Sequence, residues 1–299
     1  MKIGYFADGP WAHKAIELLA NDPDIEIAFI VPRFDKQDPV LKDWAKQLRI
    51  PFLVCENVNK NSFLQQVSEF NCDLFVSMSF NQIIRKPLLE VPSLGFINCH
   101  AGALPFYRGR NPLNWALING EKEFGITVHY IDEGIDTGDI IEQKMLPISQ
   151  DDTYGTLLET AINNCGHVLF KAIKNLFNDQ VRRVPQKTIH PVGTYFCQRK
   201  PGDEFIRFDW TSERVFNFVR ALAYPGPLAK FRYGGVIYDI HSAKLIEDAP
   251  EYICIEGIVT NVNGSIITVK TLDSTIQLNV SASTKSSPST LRVGARLDF

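Results

Sequence analysis

The apolar positions of the first half change period repeatedly. Lys2–Phe6, Ile25–Val31 and Asp73–Met78 are short, nearly continuous apolar runs, and each predicts a strand. Between them Ala12, Ala15, Ile16, Leu18 and Leu19 recur at helical spacing, which predicts a helix over Ala12–Ala20. Val40–Leu48 and Ser62–Phe70 predict two more helices; Phe52–Val54 and Gly95–Cys99 predict two short strands. This alternation defines an α/β class, an open, largely parallel, Rossmann-like sheet covered on both faces. Ligands of such sheets bind beyond the carboxyl ends of the strands. Asp8-Gly9-Pro10-Trp11, Ser79-Phe80-Asn81 and Asn98-Cys99-His100 are therefore expected on one rim.

Thr153–Phe177 predicts a long amphipathic helix with Asp151 or Asp152 as its N-cap. The polar, basic stretch Asn178–Pro191 reads as a linker. After it the pattern shifts to short β-rich runs at Phe205–Trp210, Ala229–Tyr233, Val236–Ile240, Ile253–Asn261, Ser265–Thr271 and Thr275–Val280, with one helix over Glu213–Ala223. Asn263-Gly264 predicts a hairpin. These runs predict a second, smaller β-rich domain, a small barrel or half-barrel with an OB-like module among the options. The expected domains are residues 1–180 and 181–299, with Ser281–Thr290 as a loop.

Composition narrows the class. The 299 residues are 45% hydrophobic and 22% charged, which leaves room for two domains and excludes a disordered chain. No apolar run reaches the ~18–20 residues of a membrane span, and the first residues lack a signal-peptide pattern, so a cytoplasmic protein without a membrane partner is expected. The six cysteines never approach a C-x-x-C spacing, so they are expected reduced and buried, with no metal site. The net charge of -3 is uneven. From Val181 onward 15 Lys and Arg face 11 Asp and Glu, or +4, which leaves -7 for residues 1–180. That mild excess suits an anionic small molecule better than a nucleic acid. No G-x-G-x-x-G or Walker-type loop is present.

The chemistry concentrates between Phe96 and Ile140. Asn98 and His100 stand two apart at a strand end, so both side chains project to the same face. Asp136 follows in the turn Gly134-Ile135-Asp136-Thr137-Gly138-Asp139, where Asp139 is its competitor as the working carboxylate. An Asn amide can donate to a developing oxyanion. A His can take a proton from an attacking amine, and an Asp can fix its tautomer or relay that proton. Together they suit acyl transfer to an amine with neither a metal nor a covalent nucleophile. Alternation turns Cys99 away from His100, so Cys99 reads as core. His13, His129, His167, His190 and His241 read as surface or core residues.

Asn98-x-His100, the Leu104-Pro105 turn and Asp136-Thr137-Gly138-Asp139 resemble the signature of the 10-formyltetrahydrofolate-dependent formyltransferases. The likeness covers nearly all of residues 1–180 and, more weakly, Phe205–Pro227. Within that family, Phe106–Trp115 and Gly125–Asp132 are similar to the sugar N-formyltransferases. Methionyl-tRNA formyltransferases usually carry Ser-Leu-Leu-Pro in place of Gly102-Ala103-Leu104-Pro105, and Arg-Gly-Ala-Ala-Pro in place of Arg108-Gly109-Arg110-Asn111-Pro112. The resemblance implies N10-formyltetrahydrofolate as co-substrate and Asn98, His100 and Asp136 as the catalytic trio. It implies Met78, Phe80, Ile83, Tyr130 and Asp132 around the pterin. It sets Arg110, Arg199, Lys200, Asp203 and Tyr224, joined by Trp11 from the rim, around a nucleotide-linked amino sugar, with dTDP the expected nucleotide and surface-polysaccharide synthesis the expected setting. A homodimer is left open. The alternatives are a methionyl-tRNA formyltransferase, a formyltetrahydrofolate hydrolase with water as acceptor, and a non-enzymatic folate- or nucleotide-binding module. A module that only binds has no need of the trio.

Overall fold

The computed structural model describes residues 1–283 and 291–298. The predicted loop at 281–290 therefore lies mostly outside the described residues; its first two residues end a strand. The chain divides into two compact units. Unit 1 comprises Met1–Pro112, Phe124–Leu146 and Glu159–Phe196; unit 2 comprises Leu113–Glu123, Pro147–Leu158 and Cys197–Phe299.

Unit 1 opens with β1 (Lys2–Ala7), α1 (Gly9–Ala20), β2 (Glu26–Val31), α2 (Pro39–Leu48), α3 (Asn61–Ser68), β3 (Leu74–Met78), α4 (Lys86–Leu89), β4 (Phe96–His100) and β5 (Arg108–Gly109). The helix α5 (Pro112–Ile118) is followed by β6 (Glu123–Tyr130), β7 (Ile140–Pro147), α6 (Tyr154–Phe177) and β8 (Tyr195–Phe196). The six-stranded sheet has the order β2-β1-β3-β4-β6-β7. Strands β2, β1, β3 and β4 pair in parallel, whereas β6 runs antiparallel to β4. The expected Phe52–Val54 strand is only a single parallel bridge from Phe52 to Ile30.

The central strands are buried almost end to end, as a sheet covered on both faces requires. Phe6, Phe29, Phe75 and Phe96 form an aromatic cluster on one face. Gly4 lies between Phe29 and Phe75 in register, and a Cβ there would run into both rings. The N-cap of α2, Asp38, accepts hydrogen bonds from Val40 N and Leu41 N. The same carboxylate accepts from Gly9 N at 3.0 Å and pairs with His13 Nε2 at 2.8 Å, which fastens the loop after β1 to the rim.

The stretch 178–191 is not a linker. Val184 bridges to Ile140, and Gln186, on a short 3-10 turn, is buried in unit 1. Most of the stretch is exposed, but the Gln186 side chain is turned inward to hydrogen bonds within unit 1.

Unit 2 holds α7 (Ser212–Leu222), β9 (Ala229–Tyr233), β10 (Val236–Leu245), β11 (Val259–Asn263), β12 (Ile266–Lys270) and β13 (Thr275–Ala282). Thr211 caps α7 by accepting from Arg214 N. The antiparallel five-stranded sheet has the order β11-β12-β13-β10-β9. The hairpin at Asn263-Gly264 forms, with Asn263 paired to Ile266 and Gly264 at φ +61. Near the end of the chain, Asp298 bridges to Arg232 of β9 and Arg296 bridges to Ile258 beside β11. One segment thus covers both sheet edges, which closes the sheet. The expected strand at Phe205–Trp210 is reduced to a bridge from Phe205 to Lys230, and the strand expected over Ile253–Asn261 begins only at Val259. No helix among the described residues is long and apolar enough to cross a membrane.

Candidate active site

Sheet polarity reverses at β4. Asn98 faces Ser77 of β3 across the parallel side and His129 of β6 across the antiparallel side. His100, buried, is the last residue of β4. Its Nε2–H donates to the Tyr107 carbonyl at 2.7 Å, which leaves the Nδ1 lone pair free in the neutral ring. Nδ1 lies 3.7 Å from Asp136 Oδ2, too far for a hydrogen bond and close enough for strong charge coupling.

Asp136 reaches this position from a folded turn. Asp132 Oδ1 accepts from Gly134 N at 3.0 Å and from the Thr137 hydroxyl at 2.6 Å. A Cβ at Gly138 would collide with the Tyr130 carbonyl oxygen, so only glycine allows that close approach. Asp136 itself is left-handed, at φ +53. Its Oδ2 accepts from Gly109 N at 2.9 Å, and its Oδ1 stands 3.5 Å from His129 Nε2.

His129 is the residue that sequence reasoning missed. It is buried, but not as inert core. Its Nδ1–H donates to the Tyr130 carbonyl at 2.7 Å, and its Nε2 lies 3.3 Å from the Asn98 amide nitrogen. His129 therefore links Asn98 to Asp136. The antiparallel register that sets it opposite Asn98 carries no mark in the sequence.

The electrostatics follow from burial and charge. Burial pulls the His100 imidazole below its usual range, more than Asp136 and the Tyr107 carbonyl raise it. Burial pushes the Asp136 carboxyl up, but His100, His129 and the Gly109 N–H together hold it well below the usual carboxylate range. Near neutral pH the cluster is a carboxylate beside a neutral imidazole, the state in which a His can accept a proton.

The other expected site residues are placed as follows. Met78 is fully buried at the end of β3, its sulfur 3.8 Å from the Tyr5 hydroxyl and its carbonyl accepting from Asp8 N, so its side chain is core. Phe80 packs edge-on against Phe6. Ile83 is 74% exposed. Tyr130 lies under the Arg183 guanidinium at 4.0 Å. Asp132 is spent on the turn just described. Trp11 is half-buried on α1, and Arg110 is exposed. Arg199, Lys200, Asp203 and Tyr224 belong to unit 2. There Asp203 accepts from Lys200 N at 2.6 Å, Arg199 is half-buried, and Tyr224 is 84% exposed. Cys99 points away from His100 towards the Cys165 carbonyl on α6, so no Cys–His pair forms. Among the described residues, no group of three His, Cys, Asp or Glu is set to hold a metal.

A half-buried amide donor, a neutral imidazole and a fixed carboxylate on the rim of an α/β sheet are the equipment of a group-transfer enzyme that handles carbonyl chemistry. The chain belongs to the formyl transferase family: that pattern matches residues 3–173, and the pattern of the formyl transferase C-terminal domain matches residues 199–290. It is 34% identical over 238 residues to the methionyl-tRNA formyltransferase of Halothermothrix orenii, covering 76% of this chain and 74% of that one. It is also 34% identical to the Clostridium acetobutylicum enzyme of the same name, covering 92% and 90%. Among solved structures it resembles the Helicobacter canadensis N-formyltransferase in complex with folinic acid and dTDP-3-aminofucose, with TM-score 0.68, 21% identity, and 94% and 100% coverage.

These findings overturn the expected nucleotide-linked amino-sugar acceptor. The two relatives just named, each 34% identical, are methionyl-tRNA formyltransferases, whereas the sugar-binding structure is similar at a level that shows the fold alone. The two features that had favoured the sugar branch were weak for physical reasons. Arg110 is exposed, and a surface position can vary without disturbing the fold. Net charge over half a chain says nothing of where the cations stand: Arg182, Arg183 and Lys187, counted with the second half, belong to unit 1.

Proposed function

We propose that this protein transfers the formyl group of N10-formyltetrahydrofolate to the amine of methionyl-tRNA, as a cytoplasmic enzyme. The single observation behind this acceptor is the 34% identity to a methionyl-tRNA formyltransferase across 92% of the chain. The rim fits a folate donor. Asn81 carries a buried Oδ1 with no hydrogen-bond partner within the protein, and Ile83 exposes an apolar face on the same segment. A flat heterocycle with N–H donors matches that pair.

The bound donor supplies a formyl carbonyl attached to a nitrogen leaving group. Asn98 then donates an amide N–H to the oxygen that gains charge as the amine adds. The contact with His129 orients that amide. His100 accepts the amine proton at Nδ1, because Nε2–H is committed to Tyr107. Asp136 stays ionised and stabilises the imidazolium across 3.7 Å. Proton return from His100 to the departing nitrogen completes the transfer. Loss of one oxyanion donor typically costs ~10²–10³ in turnover.

The test is formylation of charged initiator tRNA with N10-formyltetrahydrofolate. Donor-dependent transfer is expected. Its KM should rise steeply with salt, by roughly 10³-fold between 50 and 200 mM if six or more phosphates are contacted. Folded protein that leaves methionyl-tRNA unmodified overturns the acceptor.

A further inference from the structure

We propose that Arg108 and Gln186 form a clamp that fixes Asp136 in its left-handed conformation, aimed at His100 and His129. Gln186 is 3% exposed. Its Nε2 donates at 2.8 Å to the Asp136 carbonyl and at 2.8 Å to the Gly138 carbonyl. Its Oε1 accepts from Arg108 Nε at 2.9 Å and from Nη2 at 2.7 Å. Arg108 Nη1 donates to the Val192 carbonyl at 3.0 Å.

The orientation of this amide is forced. Carbonyls only accept and a guanidinium only donates, so a flipped Gln186 would lose every one of these bonds. All the hydrogen-bonding capacity of the side chain is used on the turn that carries Asp136 and on one arginine. The backbone beside Arg108 grips the other end of the same residue, because Gly109 N donates to Asp136 Oδ2. Asp136 is thus held by its carbonyl through Gln186 and by its carboxylate through Gly109.

That grip opposes two costs. A non-glycine residue with positive φ is sterically strained unless its surroundings hold it. A carboxylate between two imidazoles, 3.5 and 3.7 Å from their nitrogens, has no short bond to either ring to keep it in place. Arg108 and Gln186 are therefore positioning residues that act through Asp136. The inference rests on the reading that Asp136 serves His100 in the transfer.

The test replaces Gln186 with Leu in the full-length protein. It records steady-state formyl transfer to methionyl-tRNA and, independently, the NMR titration of the His100 imidazole, assigned by difference with a His100→Gln variant. With the clamp gone, Asp136 withdraws and its upward pull on His100 weakens. The imidazole is expected to titrate at lower pH than in the wild type. Turnover is expected to fall by roughly 10²-fold with KM for the donor within about threefold, as for a catalytic group displaced by about 1 Å. Arg108→Lys keeps the charge but not the two-pronged contact, and a smaller shift in the same direction is expected. If Gln186→Leu does not fold, the same two measurements on Arg108→Lys decide the matter. An unmoved His100 titration and near-wild-type turnover in the folded variant overturn the clamp. The titration needs no substrate. A wild type inactive on tRNA, with a His100 shift still seen in the variant, would sink the acceptor and leave the clamp standing.

Discussion

Replacing Asp136 with Asn keeps the side-chain shape and removes its charge. The amide oxygen can still accept from Gly109 N, so the turn should persist. What is lost is the attraction between the carboxylate and a protonated His100, whose Nδ1 lies 3.7 Å from Oδ2. The two side chains are only 9% and 15% exposed, and at an effective dielectric near 20 that attraction is about 4 kcal/mol. At 1.36 kcal/mol per tenfold, it corresponds to about a thousandfold in the protonation equilibrium of the ring. If most of that charge develops in the transition state, Asp136→Asn lowers turnover by roughly 10²–10³. The assay is single-turnover transfer at saturating substrates, measured from pH 5 to 8.5. The neutral ring is the base, so the wild-type rate falls as pH drops through the His100 value, which burial has already lowered. Removing the carboxylate takes away the main influence that raises it. The acid limb should therefore move further down in pH while the plateau drops. Turnover within about fivefold of wild type, or an acid limb shifted upward, would refute the reasoning.

Further outcomes follow from the same geometry. Asn98→Ala and His100→Ala should each lower turnover by about 10²-fold or more with the fold intact, as circular dichroism and Tm would establish. His100 binds a proton less well folded than unfolded, so between the usual value of ~6.5 and its lowered value stability should fall as pH falls. Tm measured from pH 7.5 to 5 should accordingly decline less in His100→Gln than in wild type; equal declines would remove His100 as the cause. Gly138→Ala forces a Cβ against the Tyr130 carbonyl, and a loss of ~2–3 kcal/mol or more in urea unfolding is expected. An unchanged midpoint would show that the turn yields at no cost.

The α/β half was legible because its strands and helices differ in apolar period, and the observed elements follow that period within a few residues. Phe52–Val54 misled because three apolar residues next to a proline look the same whether they pair along their length or at one bridge. Asn98 and His100 could be set on one face from their spacing alone. His129 could not, because its role depends on which residue of β6 stands opposite Asn98, and register is set by the whole sheet. Gln186 was hidden for another reason. A polar, basic stretch has the composition of a solvated linker, and nothing local distinguishes a glutamine facing water from one whose four bonds are all internal.

The edge-covering segment at Arg296 and Asp298 bears on how the chain is made. Unit 1 is complete once Phe196 has been synthesised, whereas the unit 2 sheet is closed by residues at 296–298. At typical synthesis rates, about 100 residues take roughly 5–20 s. Through that interval the stretches Leu113–Glu123 and Pro147–Leu158, which belong to unit 2, have been translated but lack the partners that bury Leu113, Asn114 and Leu117. The edge of β11 and the Arg232 end of the β9 edge, beyond the Phe205 bridge, have no segment yet to cover them. The nascent chain is thus a finished body carrying an open one, and ribosomes crowded on one message would present those edges to one another before any chain could close its own.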